Sequence, residues 1–455
     1  MARVTKRRAT RPKSERQIAN PKKENRDTDR VASIRNRYAS IVQQRDTDLA
    51  RVRTALDKRN ASIDMLKDRL ATAKGRIEKL AEANRQAQPH RSVISYLEIA
   101  RMAGEQSDAL RADVYVSIDV MALPAASLLA ESSGGQVFCD IKEKPNLGHR
   151  SLPTSLSPLS LRFLNEAFGG YLRNCDHRFT VGWTLASELE PLGVEIEVLP
   201  NYRRYAPVEP NRALRDLCGI ADSDRVLLAP NNIVSGAEEI LAALAELPDN
   251  VHLVVLGYIK PDDYRDQILT LSHDLGVADR LHLVAPVPYD ELIHFAAGAD
   301  IGLIILDPSI QNHRVSLPNR IFDLVAAELP VVTAPIPDIA KIAHDYDCGI
   351  AIDNGTSTAW ADGIRGILDD LDRFEAGAAH AARALTWASV EPQLLKAFAD
   401  ADSVTFLHHR NLHHHQRTIR IATTLQQAGK TVRMATVVTD PSRQHDLPFD
   451  VIALT

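Results

Sequence analysis

Ser316-Leu317-Pro318-Asn319-Arg320-Ile321-Phe322-Asp323-Leu324-Val325-Ala326-Ala327-Glu328-Leu329-Pro330-Val331-Val332 is the stretch on which the reading of this chain turns. It divides into a loop carrying Pro318, a helix with Ile321, Phe322, Leu324 and Val325 on its inner side, a stop at Pro330 and a β-branched strand. A helix N-terminus presents free N–H groups and a partial positive charge. Arg320 in the first turn adds a cation with planar donors, and the combination suits a phosphate. Asp323, about one turn further on, is placed to accept hydrogen bonds from hydroxyls beside that phosphate, as a ribose would offer. On the local sequence alone, the alternative is an ordinary helix of an α/β domain with charges at one end.

Outward from this stretch, the same alternation repeats. Strands are expected near 225–229, 251–257, 281–284, 301–306, 331–334 and 349–352, with helices near 236–247, 262–275, 289–298, 319–328, 337–344 and 357–371. Upstream, helix is expected at 93–111, followed by strands near 112–119, 136–140, 177–181 and 195–199 with helices at 121–131, 160–174 and 184–192 between them. Helices at 373–385 and 390–398 lead to a tail that reads strand 404–407, helix 416–428, strand 431–438 and strand 450–454. Alternation of this kind builds doubly wound parallel sheets.

The 455 residues suffice for two such domains plus an appendage. Net charge is −5, yet residues 1–30 carry eleven Lys or Arg against four acids. Residues 1–28 have too few apolar side chains to offset the entropy of ordering and read as a disordered basic tail, either solvated or drawn weakly to anionic membrane; no specific nucleic-acid contact is expected. From 29 to 88 the chain reads as a long coiled-coil helix. Val31, Ile34, Tyr38 and Ile41, then Leu49, Val52, Leu56, Ile63, Leu66, Leu70, Ile77 and Leu80 form a heptad seam with a one-position slip after Ile41. A seam with no partner of its own points to a homo-oligomer, with packing on the body or recruitment of another protein as alternatives. The basic N-terminus leads into no apolar stretch and no apolar run is long enough to span a bilayer, so the expected location is the cytoplasm or the inner face of its membrane. Cys139, Cys175, Cys218 and Cys348 are widely separated and read as free thiols.

The opening stretch resembles the donor-binding helix of retaining GT-B glycosyltransferases of family 4, in the subgroup with Ser-Leu-Pro-Asn-Lys-x-Phe-Glu; here Arg320 replaces Lys and Asp323 replaces Glu. The resemblance is specific across 284–335, including Pro286-Val287-Pro288, Ala299-Asp300-Ile301-Gly302-Leu303 and Asn312-His313. It implies a GT-B fold of two Rossmann-like domains, with a nucleotide-sugar domain at 205–385 and a crossover helix at 386–401. Residues 92–200 resemble only the second half of the acceptor-side domain, whereas 402–455 resemble its missing β-α-β opening, with Arg417 at the family's usual Arg. A circular permutation accounts for this, as does a second domain cut short. The permutation is preferred because fifty-odd residues make no core of this type alone. It predicts that 404–407 lies beside 114–117.

The family's chemistry implies sugar transfer with retention from a nucleotide sugar to a saccharide or lipid-linked acceptor, with no metal or other cofactor. It implies donor-side roles for Asn231, Asn232, Gly257, Arg314, Ser316, Leu317, Pro318, Asn319, Arg320 and Asp323. Acceptor-side roles fall to Asp119, Lys142, His413 and Arg417, with Asp119 and Arg320 as the catalytic candidates. Asp119 reads equally well as the cap of the helix after it. The sequence departs from the family in four places. Val234-Ser235-Gly236-Ala237-Glu238 carries none of the usual cations, Val116 and Ile118 replace two histidines, Lys142 replaces a third, and His408 to His415 replaces a glycine-rich loop. Contiguous histidines in a loop lack the fixed spacing of a metal site and read as lining the cleft mouth or as solvated. These departures keep open a second reading, a non-catalytic scaffold or nucleotide-binding protein acting through its coiled coil.

Overall fold

The computed structural model describes residues scattered between 36 and 65, then residues 97–143, 158–230, 232–409, 415–437 and 447–454. Residues 1–84 and 85–455 form two separate compact units. In the first, every described residue is helical. Thr47 and Thr54 hydroxyls bond the carbonyls four residues back, and Leu49 and Leu56, one heptad apart, are exposed. The basic tail and the rest of the seam lie outside the described residues.

The second unit contains two parallel sheets. The first comprises β1 (Val114–Ile118), β2 (Gln136–Ile141), β3 (His177–Thr180) and β4 (Glu197–Val198), joined by β11 (Ser403–His408), β12 (Thr431–Thr436) and β13 (Asp450–Ala453) in the order β13-β12-β11-β1-β2-β3-β4. The second comprises β5 (Arg225–Pro230), β6 (Val251–Leu256), β7 (Leu281–Val284), β8 (Ile301–Ile304), β9 (Val331–Thr333) and β10 (Gly349–Ala351) in the order β10-β9-β8-β5-β6-β7. β1 and β8 are buried at every position, the signature of parallel strands covered on both faces.

The register of β1 on β11 runs Val114↔Val404, Tyr115↔Thr405, Val116↔Phe406 and Ser117↔Leu407, the neighbours expected from the sequence. Two contacts fix this pairing at its start. The Asp113 carboxylate accepts from the Asp402 and Ser403 amides and the Ser403 hydroxyl, which hold its pKa low. Thr405 donates to the Leu110 carbonyl at 2.9 Å.

Several boundaries differ from expectation. Helix is described at 97–105 and Ser107–Leu110, so 93–96 falls outside the described residues. A short helix Ala213–Cys218 was not anticipated, and β4 is two residues long. The crossing helix begins at Trp387, three residues earlier than its pattern suggested, because Trp387 is itself the anchor. Its amide donates to the Arg203 carbonyl at 2.8 Å and its indole N–H to Thr424 at 2.8 Å. At the other end Phe398 packs between Phe138 and Phe179, with ring centroids 4.8 and 6.3 Å away.

Arg417 corrects a site expectation. It does not line an open acceptor site; it is buried, with Nε 3.0 and 2.9 Å and Nη2 2.6 Å from the Asp140 carboxylate, and it also donates to the Leu199 carbonyl. Its helix, Gln416–Gln427, lies close against the sheet, so the long side chain is driven inward, where it ties the end of β2 to the segment after β4. Removing one member of a buried pair strands the other charge. Arg417→Ala should therefore lose about 3–5 kcal/mol in urea unfolding, and Arg417→Met with Asp140→Leu should lose much less; equal losses would contradict the pairing.

Candidate functional site

The helix Asn319–Ala326, between β8 and β9 of the second sheet, meets the segment that follows β4 of the first sheet in direct contact. Six of its eight residues are buried, Ile321 to Ala326. It sits close because Gly302 on β8 lacks a side chain; a Cβ there would meet Leu324 at 2.7 Å. Phe322 packs edge-on to Tyr202, centroids 5.0 Å apart. The helix tip is thus fixed from below and meets the segment that follows β4. Asn201 Nδ2 donates to Asn319 Oδ1 at 2.5 Å, and Arg203 Nε donates to Asp323 Oδ1 at 2.7 Å. A third bridge lies nearby, where Asp338 accepts from the Thr184 amide at 3.1 and 3.2 Å and from its hydroxyl at 2.6 Å. This carboxylate answers the unpaired N–H groups of the helix Trp183–Leu189.

This contact region is cationic. Arg203 lies with Cζ 3.7 Å from the centroid of Tyr289, and Arg420 donates to the Asn201 carbonyl and side-chain oxygens. Arg320 donates to the Ile305 carbonyl at 3.3 Å. Burial pulls Arg320 and Arg420 below the usual arginine range, and it pushes Asp323 above the usual carboxylate range against the pull of Arg203. Beside Ile305, a cavity of about 380 Å³ is lined by Gly236, Glu238, Glu239, Asp307 and Trp360.

A second cluster forms where β1, β2 and β11 end. Asp119 has φ 60 and ψ 172, a backbone region that side-chain-bearing residues avoid. It is held there by its amide on the Asp140 carbonyl, the Ser117 hydroxyl on its own carbonyl, and the Lys142 amide on its carboxylate at 2.8 Å. Its side chain makes no cap to the following 3-10 helix, because this turn directs the carboxylate toward β2. Burial raises the Asp119 pKa against Lys142, and burial lowers that of Lys142 against Asp119. Lys142 Nζ is 3.4 Å from His415 Nδ1 and 3.2 Å from Thr418; the His415 and His408 rings are 4.1 Å apart.

The remaining sequence candidates divide. Ser316 bonds the His313 carbonyl, Leu317 is buried beside Gly182, and Pro318 leads into the helix. Asn232 accepts from the Tyr258 amide, and Gly257, at φ 156, donates to the Val284 carbonyl. These tie the ends of β5, β6 and β7 together. Arg314 is exposed at the end of a short helix. Asn231 and His413 lie outside the described residues. Arg203, Tyr289 and Arg420 escaped the sequence reading. The one local signal was the Arg203-Arg204 pair that follows Pro200-Asn201-Tyr202, a charged doublet shortly after the chain leaves a half-buried strand. Among the described residues no group of three metal-ligating side chains occurs, and no helix is long and apolar enough to cross a membrane.

Residues 227–370 match the family described as Glycosyl transferases group 1. The D-inositol 3-phosphate glycosyltransferase of Xylanimonas cellulosilytica is 31% identical over 201 residues, 42% of this chain and 45% of that protein. Its counterpart in Thermobifida fusca is 29% identical over 185 residues, 38% and 40% of the two chains. The chain thus spans less than half the length of these curated relatives. Among solved structures, the Anabaena HepE protein in complex with UDP-glucose aligns with TM-score 0.52 at 15% identity, over 66% of this chain and 81% of that one. Sucrose-phosphate synthase from Thermosynechococcus elongatus aligns at 0.51 and 14%, over 63% and 73%. The fold is of GT-B type.

The Asp338 bridge gives a pH test. Burial raises its pKa, opposed by the bonds from Thr184. A raised folded value means that this group's contribution is complete below the unfolded value of about 3.9 and is lost as pH climbs through the folded one. Asp338→Asn does not titrate, so its stability relative to the wild type should rise as pH climbs above about 4 in urea unfolding; a difference that stays constant would count against the assignment.

Proposed function

We propose that this chain is a retaining glycosyltransferase of family 4, in the Ser-Leu-Pro-Asn-Lys-x-Phe-Glu subgroup, moving a hexose from a nucleotide sugar to a saccharide or lipid-linked acceptor. The observation that carries this is the helix tip Pro318 to Asp323, with Arg320 in its first turn, bonded through Asn319 and Asp323 to Asn201 and Arg203 of the segment that follows β4 of the other parallel sheet. Open α/β sheets bind ligands outside the carboxyl ends of their strands. The match of 227–370 to the group 1 family supports the donor side.

In this reading 205–385 is the nucleotide-sugar domain, 386–401 the crossover helix, and 92–200 with 402–455 a permuted acceptor-side domain. The pairing of β11 with β1 supports the permuted order. As the glycosidic bond to the leaving diphosphate breaks, negative charge grows on the phosphate oxygens and positive charge on the sugar ring. Arg320 and the N–H groups at Asn319 stabilise the former. Asp323 takes the ribose hydroxyls; Asn231, Asn232, Gly257, Arg314, Ser316 and Leu317 shape the donor pocket. Asp119, with Lys142 beside it, meets the acceptor, and His413 orients it. The chain works in the cytoplasm, with the basic tail drawn to anionic membrane and the 29–88 seam joining copies into an oligomer.

A non-catalytic scaffold is the second reading. It is favoured by Arg203, which already occupies Asp323, and by Glu238 and Glu239 at the helix start where the family carries cations.

Calorimetric titration with UDP, GDP and their sugars separates the two. The first reading expects binding that weakens about tenfold or more in Arg320→Ala and Asp323→Ala; a wild type that takes up none of these ligands would leave the scaffold. For the seam, Leu49→Lys with Leu56→Lys should convert an oligomer to a monomer in light scattering, and an unchanged mass would remove that role.

A further inference from the structure

We propose that Arg203 and Arg420, together with Arg320, form the seat of the donor's diphosphate, and that Arg203 leaves Asp323 when the nucleotide arrives. This rests on the donor-site reading above and assigns to it two residues outside the resemblance.

Charge is the first argument. Three guanidiniums converge here, and among the described residues the carboxylate facing them is Asp323. Tyr289 does not supply a second negative charge, because burial, reinforced by Asp323, raises its pKa. Two positive charges are therefore held in this largely buried contact region without a counter-charge, which is costly unless an anion completes the site.

Hydrogen bonding is the second. The Arg203 side chain is 11% exposed and spends Nε on Asp323, while its Nη2 is buried with no acceptor among the described residues. A buried unpaired donor on a charged group is a standing penalty. Phosphate oxygens accept from guanidinium forks in pairs and match what is missing. Arg203 is already oriented by the Tyr289 face, and Arg420 by Asn201 and by Trp387, 5.5 Å from its Cζ.

The turn at 234–238 bears no cation, and the cavity beside it is lined by Glu238, Glu239 and Asp307. That wall repels phosphates and leaves the arginine side as the one with attractive charge. Arg203 and Arg420 come from the segment after β4 and from the helix after β11, so the first sheet adds two cations to Arg320 of the second. Before ligand binds, the Arg203–Asp323 pair keeps both charges compensated. Once phosphates engage Arg203, the Asp323 carboxylate is released to the ribose.

The test is calorimetric titration of the full chain with UDP, GDP and inorganic pyrophosphate. Arg203→Gln and Arg420→Gln, checked for folding by thermal melting, should each weaken the nucleoside diphosphate and pyrophosphate about tenfold or more, and Arg203→Lys should recover part of the loss. Asp323→Asn should tighten pyrophosphate while weakening the nucleotide, since it removes the counter-charge and the ribose acceptor together. Unchanged diphosphate affinity in both folded glutamine variants, with Arg320→Ala still abolishing it, would overturn this seat and leave the donor site standing. If the glutamine variants do not fold, pyrophosphate affinity that fails to rise in Asp323→Asn overturns it. A wild type that binds neither nucleotides nor pyrophosphate would remove both readings.

Discussion

A buried parallel strand cannot leave its hydrogen-bonding groups unpaired, and much of this structure follows from how β1 meets that demand. With every side chain of β1 buried and β2 on one side, the other edge requires a partner, and the chain provides it only after residue 402. The Asp113–Ser403 bonds set the register, and Arg417 in the next helix closes the assembly onto Asp140. The first sheet is thus assembled from segments nearly three hundred residues apart. Loop-closure cost grows only slowly with length, so the separation is thermodynamically tolerable, although non-local pairing of this kind slows folding.

The same closure builds the contact between the two sheets. Bringing β11 beside β1 places the helix Gln416–Gln427 over the end of the first sheet, and Arg420 comes with it. The crossing helix, anchored by Trp387 on both the Arg203 carbonyl and Thr424, holds the segment after β4 against the second sheet. The Asn201–Asn319, Arg203–Asp323 and Thr184–Asp338 bonds then complete that contact. Charges that would be separate surface features on isolated sheets become one buried, predominantly basic group. At the end of β1, the backbone of Asp119, at φ 60, is fixed by three hydrogen bonds, and such strain is found where a side chain must be aimed.

What the sequence alone determined was whatever depends on local pattern. Periodicity located nearly all the strands and helices, since a buried parallel strand reads as a short β-branched run and an amphipathic helix as a 3.6-residue repeat. The cationic tip at Pro318 to Asp323 was legible for the same reason: helix start, Arg320 and Asp323 lie within one turn. The pairing of 404–407 with 114–117, expected from the resemblance of the two segments to parts of one domain, is the one the register shows. Only the tertiary structure decided which charges meet. Arg417 looked like a site residue and is an interior clamp, since the sheet beneath its helix draws the guanidinium onto Asp140. Asp119, which read equally well as a cap or as a site residue, makes no cap and is turned toward Lys142 by a backbone torsion with no sequence signature. Arg203 and Asp323 stand 120 positions apart, and pairings at that range are set by the packing of two sheets against one crossing helix, a geometry that no window of sequence contains.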